Sequence, residues 1–304
     1  MARIALKVDV DTLRGTREGV PRLLSLLARH GAQATFLFSL GPDHTGWALR
    51  RVFRRGFLQK VSRTSVARHY GWRTLSYGVL QPGPDIGLKA AAPMREALQA
   101  GHECGIHAWD HVVWHDQVRH RNAAWTQQQM QLAWDRFVQV FGRPPATFGA
   151  AGWQMNASAW QQLDDWGLTH ASDGRGCGPY IPALQGRALR HLQLPTTLPT
   201  LDELLGRDLG RGEITEANVH EAVLRATPGG ADAVDQVFTL HAELEGQLLA
   251  PTFDALLTGW RDAGHTLVSL GQLAATLDRR TLPVRDLAWG TVPGRAGELV
   301  VDTV

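Results

Sequence analysis

The sequence predicts an α/β fold in which short strands and helices alternate around a parallel sheet. Two observations predict it. Short β-branched and aromatic runs alternate with apolar runs of helical spacing over most of the 304 residues. Neither an internal repeat nor a flexible linker divides the chain, so right-handed strand–helix–strand units can follow one another without a break. One domain spanning residues 1–304 follows, either an α/β barrel or a doubly wound sheet.

The elements justify this in order. Residues 3–10 (RIALKVDV) read as a strand ending at acids, and residues 16–30 as a helix stopped by Gly31, with Pro21 in its first turn. Residues 34–40 are a buried strand, 89–100 a helix and 103–107 a strand. Trp125, Met130, Trp134, Phe137 and Phe141 give 124–141 helical spacing. Strand-like 146–151, helical 156–166, strand-like 168–172 and strand-like 188–195 follow. The alternation ends with a helix over 214–226, a strand over 237–244, a helix over 252–263 and a strand over 266–270. Residues 41–88 and 174–212 are insertions expected to lie over the site, and the tail from Thr281 reads as irregular.

Composition excludes several classes. With 44% hydrophobic and 20% charged residues, the chain is too apolar and too evenly mixed for disorder. Cys104 and Cys177 cannot build a disulfide scaffold. Cys104 reads as a buried thiol on its strand, and Cys177 lies in a glycine-rich loop. No apolar run reaches the roughly 18 residues of a spanning helix, and charges interrupt any secretory apolar region near the start. The expectation is a cytoplasmic protein, or one held peripherally on a cytoplasmic membrane face. Residues 1–120 hold 17 Lys/Arg against 9 Asp/Glu, which suggests an anionic partner. No nucleic-acid recognition motif accompanies that charge.

Candidate chemistry gathers at strand ends. Asp9 and Asp11 close the first strand, and a spacing of two puts both carboxylates on one face. Side by side they need a cation, or they stand solvated at a turn. His107 and His111, in GIHAWDH after the third strand, form a His-x-x-x-His pair. On one helical turn that spacing converges two imidazoles on one point, as a divalent metal requires. Asp110 between them is either a carboxylate that orients one ring or a solvated acid. His241 ends a late strand, VFTLHAEL. All five positions fall at the C-terminal ends of parallel strands, the edge where α/β proteins bind ligands. Two histidines and one carboxylate make an open metal site, and the remaining acid and histidine make a base and acid pair.

Longer blocks carry a resemblance. VDVDTLRGTREGVPRLL (8–24), FSLGPDHTG (38–46), GIHAWDH (105–111), AAGWQ (150–154), SDGRG (172–176), LPTTLPTLDELLGRD (194–208) and TLHAELEG (239–246) occur in that order. With them the chain resembles, from about residue 3 to about residue 300, the polysaccharide deacetylase (NodB-homology) family. Within it, the blocks are similar to the branch acting on undecaprenyl phosphate-linked 4-deoxy-4-formamido-L-arabinose. The resemblance implies a deformed (β/α) barrel with about seven parallel strands. It implies hydrolysis of an N-acyl group on an amino sugar with one divalent ion, zinc, manganese or cobalt. In that branch the acyl group is formyl, and the amino-arabinose lipid product serves lipid A modification and polymyxin resistance. Carried over residue by residue, Asp11, His107 and His111 become the metal ligands, Asp9 the general base and His241 the general acid. The implied partner is an undecaprenyl phosphate-linked amino sugar at the cytoplasmic face of the inner membrane.

Two departures from the family pattern matter. Val10 separates the aspartates that most members carry side by side. The family's Arg-x-Pro-Tyr motif reads here as Ala150-Ala151-Gly152-Trp153, so the arginine that braces the base is missing. Arg175 in SDGRG is the candidate replacement, or it pairs with Asp173 to hold a loop. The Trp153 backbone N–H is the candidate oxyanion donor. Trp109 and Trp153 are candidates to line a sugar pocket, and Glu243 and Glu245 either tune His241 or face solvent.

The basic stretch 47–63 carries Arg50, Arg51, Arg54, Arg55, Lys60 and Arg63 without an acid. Leu49, Val52, Phe53, Phe57 and Val61 give it an amphipathic helical pattern, suited to a membrane surface or to packing on the barrel. Its arginines, with Arg14 and Arg17, are candidates for gripping a lipid phosphate. Competing readings are an N-acetyl hexosamine substrate on the same carrier, an Fe(II) oxygenase using the same ligand types, and a non-catalytic binding module.

Overall fold

The computed structural model describes residues 2–47, 72–230 and 233–302. A parallel sheet forms its centre. β1 (Arg3–Val10) lies between β2 (Thr35–Ser39) and β8 (Gln236–His241), and β3 (Glu103–Ala108) extends the sheet beyond β2. β9 (Thr266–Val268) pairs with Arg3–Ala5, below the Lys7–Val10 stretch that pairs with β2.

Beyond β3 the pairing thins and continues as a circuit. Phe148 bridges in parallel to Ile106 on one side and to Ala171 on the other. β4 (His170–Ala171) pairs with β7 (Leu192–Gln193). Thr197 N and Leu198 N then donate to Val237 O, which returns the circuit to β8. This is the deformed barrel that the family resemblance implies, and of the two architectures the alternation leaves open it is the barrel. The 146–151 run joins it through backbone bonds with β3, Ala146 N to Cys104 O, Ile106 N to Thr147 O and Gly149 N to Ile106 O, and 188–195 joins it through β7 and Leu194 N, which donates to Ala171 O.

Strand periodicity sorts the side chains into two layers. Ile4, Leu6, Val8 and Val10 of β1 pack in the large core with residues of the surrounding helices. Ala5 belongs instead to a smaller cluster with Val237, Val268, Leu194, Leu270 and Leu273, the apolar floor of the barrel. Lys7 and Asp9 follow Ala5 on this interior face, so polarity rises from the floor toward the C-terminal strand ends.

Helices pack around the sheet. α1 (Val20–His30) ends on Gly31 at φ 58°, the left-handed cap that glycine adopts without strain. α2 (Ala91–Gln99) covers β3, and α3 (His111–Gln117) follows it, with Asp110 accepting from Val113 N as its N-cap. α4 (Ala123–Phe141), α5 (Ala157–Asp165), α6 (Val219–Ala226) and α7 (Ala250–Asp262) complete the outer layer. Two π-helical turns, Gly15–Gly19 and Leu244–Leu248, meet beside the site. A Cβ on Gly19 would lie 2.0 Å from Ala242 O, so only glycine permits that approach.

The tail corrects the expectation of an irregular segment. β10 (Val284–Asp286) pairs with β5 (Ile181–Leu184), which also pairs with β6 (Arg187–Ala188). β11 (Ala288–Gly290) and β12 (Leu299–Val301) form a small antiparallel pair. Among the described residues no helix is long and apolar enough to cross a membrane.

Candidate metal centre

β1 ends at Val10, and Asp11 stands just past it. His107 lies on β3, whereas His111 is the first residue of α3. The two histidines therefore do not share a helical turn. They flank a strand–helix junction, with ring centroids 5.3 Å apart. Ligand atoms of Asp11, His107 and His111 all lie within 4.8 Å of one another. His107 Nε2 is 3.2 Å from Asp11 Oδ1, and His111 Nε2 is 3.5 Å from Asp11 Oδ2.

This donor set fits a divalent ion. His107 Nδ1 donates to Gly149 O at 2.6 Å, which fixes the ring and leaves Nε2 facing Asp11. Asp11 Oδ1 is buried and has no hydrogen-bond partner among the described residues, an arrangement that a cation would relieve. Burial pushes the Asp11 carboxyl up, but His111, His107 and His241 outweigh it and hold it far below the carboxylate range. Burial likewise pushes His107 down, and Asp9 and Asp11 together reverse that and hold it up.

Asp9 stands beside this group, with Oδ1 3.8 Å from His107 Nδ1. His241 ends β8 and is the register partner of Asp9 across the β1–β8 ladder. The structure thus brings Asp9, Asp11, His107, His111 and His241 to one strand edge. Asp110 also joins the site's frame, because His44 Nδ1 lies 2.5 Å from its Oδ2. Asp43 in the same loop accepts from Leu13 N at 2.9 Å.

Other expectations meet a different arrangement. Arg175 is not placed on Asp9 or on Asp173: its Nη1 donates to Glu203 Oε1 at 2.6 Å and its Nη2 to Leu198 O at 3.1 Å. The cation on Asp9 is Lys7, whose Nζ lies 3.4 Å from Asp9 Oδ2. Asp173 is fully buried and accepts from Ala150 N and Gln193 Nε2. Burial pushes its carboxyl up to about 7. The Trp153 N–H is committed to Ala150 O at 3.0 Å, because 151–153 closes a tight turn, so it is not offered to an oxyanion. The Trp153 ring, held at φ 54° and buried, is faced by Lys7, Arg175 and Arg295. Trp109 packs against Gly41 and under Arg136.

Glu243 and Glu245 do not face solvent; both are buried. Glu243 binds the Asp11–Thr12 backbone, and Glu245 Oε2 accepts from His241 N at 2.8 Å. Arg14 pairs with Glu18 and lines a groove of about 710 Å³ with Arg22 and Arg29, while Arg17 donates to Lys89 O. Arg50, Arg51, Arg54 and Arg55 lie outside the described residues. Cys104 is buried and its thiol is pushed up by burial, and Cys177 is exposed.

Sequence reading singles out neither Lys7 nor Arg295. Lys7 has a signal, the same strand parity as Asp9. Arg295 has none, because the tail's place beside Glu203 depends on long-range packing, with Nε 2.9 Å from Glu203 Oε1.

A family model described as polysaccharide deacetylase matches residues 3–171. The chain belongs to the polysaccharide deacetylase family. A protein of Shewanella sediminis named "Probable 4-deoxy-4-formamido-L-arabinose-phosphoundecaprenol deformylase ArnD" is 35% identical over 98% of this chain and 94% of its own. A protein of the same name from Wigglesworthia glossinidia brevipalpis is 28% identical over 93% of this chain and 96% of its own. Among solved structures, a Mycobacterium smegmatis protein titled "putative polysaccharide deacetylase" aligns with TM-score 0.65 and 18% identity, over 96% of this chain and 95% of its own. At that identity the likeness shows the fold. The polysaccharide deacetylase family thus accounts for the circuit of strands.

Proposed function

We propose that the chain is a metal-dependent deformylase acting on 4-deoxy-4-formamido-L-arabinose joined through phosphate to undecaprenol. The products are formate and the amino-arabinose lipid, the donor for lipid A modification that lowers attraction for polymyxin. One observation carries the reading. Asp11, His107 and His111 converge beside Asp9 and His241 in a chain 35% identical, nearly end to end, to a relative bearing that deformylase name.

Asp11, His107 and His111 would hold one divalent ion of the zinc, manganese or cobalt type. When bound, it supplies Lewis-acid polarisation of the formyl carbonyl and makes a water more acidic. Asp9 accepts the proton of the attacking water as the new C–O bond forms. His241, protonated, delivers a proton to the sugar nitrogen as the C–N bond breaks, because an amide anion is a very poor leaving group. Base and acid are neighbours on adjacent strands, so both reach one substrate group at the strand edge. Arg14 and Arg17, with Arg50, Arg51, Arg54 and Arg55, are the proposed contacts to the lipid phosphate. The protein would act peripherally at the cytoplasmic face of the inner membrane.

The test is acid release from the undecaprenyl phosphate-linked formamido sugar, with the N-acetyl hexosamine analogue in parallel. Formate release abolished by chelator and restored by zinc, manganese or cobalt is expected. Acetate release alone would overturn the substrate, and release of neither acid with any of these metals would overturn the enzyme.

A further inference from the structure

Lys7 is a charged side chain in a place where lysine is rarely found. It is fully buried, one interior layer beneath Asp9 and one above the apolar floor at Ala5. Its register partners are Thr35 on β2 and Thr239 on β8. A lysine on a strand ordinarily runs its stem along apolar surface and keeps its head in water. Here the barrel wall closes that route. Gly149 makes room for the stem, since a Cβ there would lie 3.1 Å from Lys7 Cε.

A buried ammonium is a poor stability device. Desolvation of the charge is costly, and a neutral side chain of similar volume often packs as well or better. The charge therefore needs another explanation, and its neighbours supply one. Nζ lies 3.4 Å from Asp9 Oδ2 and 5.4 Å from the centroid of the Trp153 ring. Asp9 is consequently divided: Oδ2 faces the ammonium, while Oδ1 faces His107 and has no hydrogen-bond partner among the described residues. Arg175, the side chain that the sequence offers for this place, is engaged by Glu203 and Leu198.

We propose that Lys7 is a positioning residue for the reaction, holding one oxygen of Asp9 from below so that the other faces the ligand cluster. The brace comes from the base's own strand, two residues earlier, and not from the loop after Phe148. The identity of the acyl group rests on the deformylase reading; the geometry of the brace does not.

The experiment compares wild type, Lys7→Met and Lys7→Arg, each purified with metal content measured. Met keeps the stem volume and removes the charge. Arg restores the charge, and it keeps the test open should Met fold poorly. Met is expected to lower kcat about 100-fold, the scale of a mispositioned base, with KM and bound metal unchanged. Arg is expected to recover most of that loss. In an Asp9→Asn background, Lys7→Met should cost nothing further, because the brace has nothing left to hold. A Met variant with wild-type kcat, a loss shared with metal content or KM, or full additivity with Asp9→Asn would each overturn the inference. The comparison is made on whichever acid the wild-type enzyme releases. The substrate reading thus fails on the wild-type arm, and the brace fails on the variant arms.

Discussion

Glu243 reaches back across 232 residues to hold the backbone of Asp11: its Oε1 accepts the Asp11 N–H at 3.1 Å. The same oxygen accepts Thr12 N at 2.9 Å and Thr12 Oγ1 at 2.8 Å. Gly15 closes over it, since a Cβ there would lie 1.9 Å from Oε1. Burial, then the nearby Asp11 charge, pushes the Glu243 carboxyl well above the usual range. The loop carrying Asp11, a proposed metal ligand, is thus clamped by the loop that follows His241. Glu243→Ala is expected to weaken divalent-metal affinity by about 10- to 100-fold, the usual scale for a partner that orients a ligand. Glu243→Gln should retain most of it, because an amide oxygen accepts the same bonds. Competition against a chromophoric chelator measures both, and an alanine variant with wild-type affinity would sink the clamp.

How much of this was legible in the sequence depends on the range of the interaction. β1 reads from end to end because the alternation of Ile4, Leu6, Val8 and Val10 is local and strand-periodic. The placement of Asp9, Asp11, His107, His111 and His241 at strand ends follows from it. The His107–His111 spacing suggests a helical turn, but the strand runs through Ala108 and the helix starts at His111. A strand–turn–helix junction converges the same two rings. Lys7 was within reach through its parity with Asp9, but a lysine on a strand reads as surface. β10 to β12 and Arg295 were not within reach. These strands are three residues long, and β10's partner β5 lies far upstream, so no local period reports them.

Gly152 is held at φ 60°, and a Cβ there would lie 1.9 Å from His115 Cδ2. Both the backbone and the space exclude a side chain. Gly152→Ala is expected to cost about 1–3 kcal/mol of stability, seen as a lower thermal midpoint. His115 stacks on His111 at 6.4 Å, so the variant should also bind metal more weakly. Calorimetry with and without added zinc separates the two effects. An unchanged midpoint would show that the turn relaxes freely.

Asp173 gives the barrel a pH dependence of known sign. Burial raises its carboxyl to about 7 in the fold, against an ordinary value near 3.8. The folded state therefore binds this proton more tightly than the unfolded chain. Its contribution to stability is fully present below about pH 4 and is lost as pH rises toward 7. Asp173→Asn should remove that part of the slope. Urea unfolding of both proteins between pH 4.5 and 7.5 checks it: the wild type should lose more stability across the range than the variant. Parallel slopes would show that Asp173 keeps its charge in the fold.

Arg175 and Lys7 are two of the described cations that face the Trp153 ring, and they should separate cleanly by readout. Arg175 holds Glu203, which is 2% exposed and also receives Arg295. Removing one partner of a buried ion pair leaves the other charge uncompensated, a loss of about 3–5 kcal/mol when the pair stands alone. Arg295 remains on Glu203, so Arg175→Met should cost less than that while still lowering the thermal midpoint. Its kcat per folded molecule should stay within about threefold of wild type, since its guanidinium is hydrogen-bonded to Glu203 and Leu198 and not to Asp9. Lys7→Met should behave the opposite way, with a modest effect on the midpoint and a large one on kcat. If Arg175→Met instead abolished turnover while folding and binding metal normally, the base would be braced from the SDGRG loop after all, by a rearrangement that substrate binding brings about.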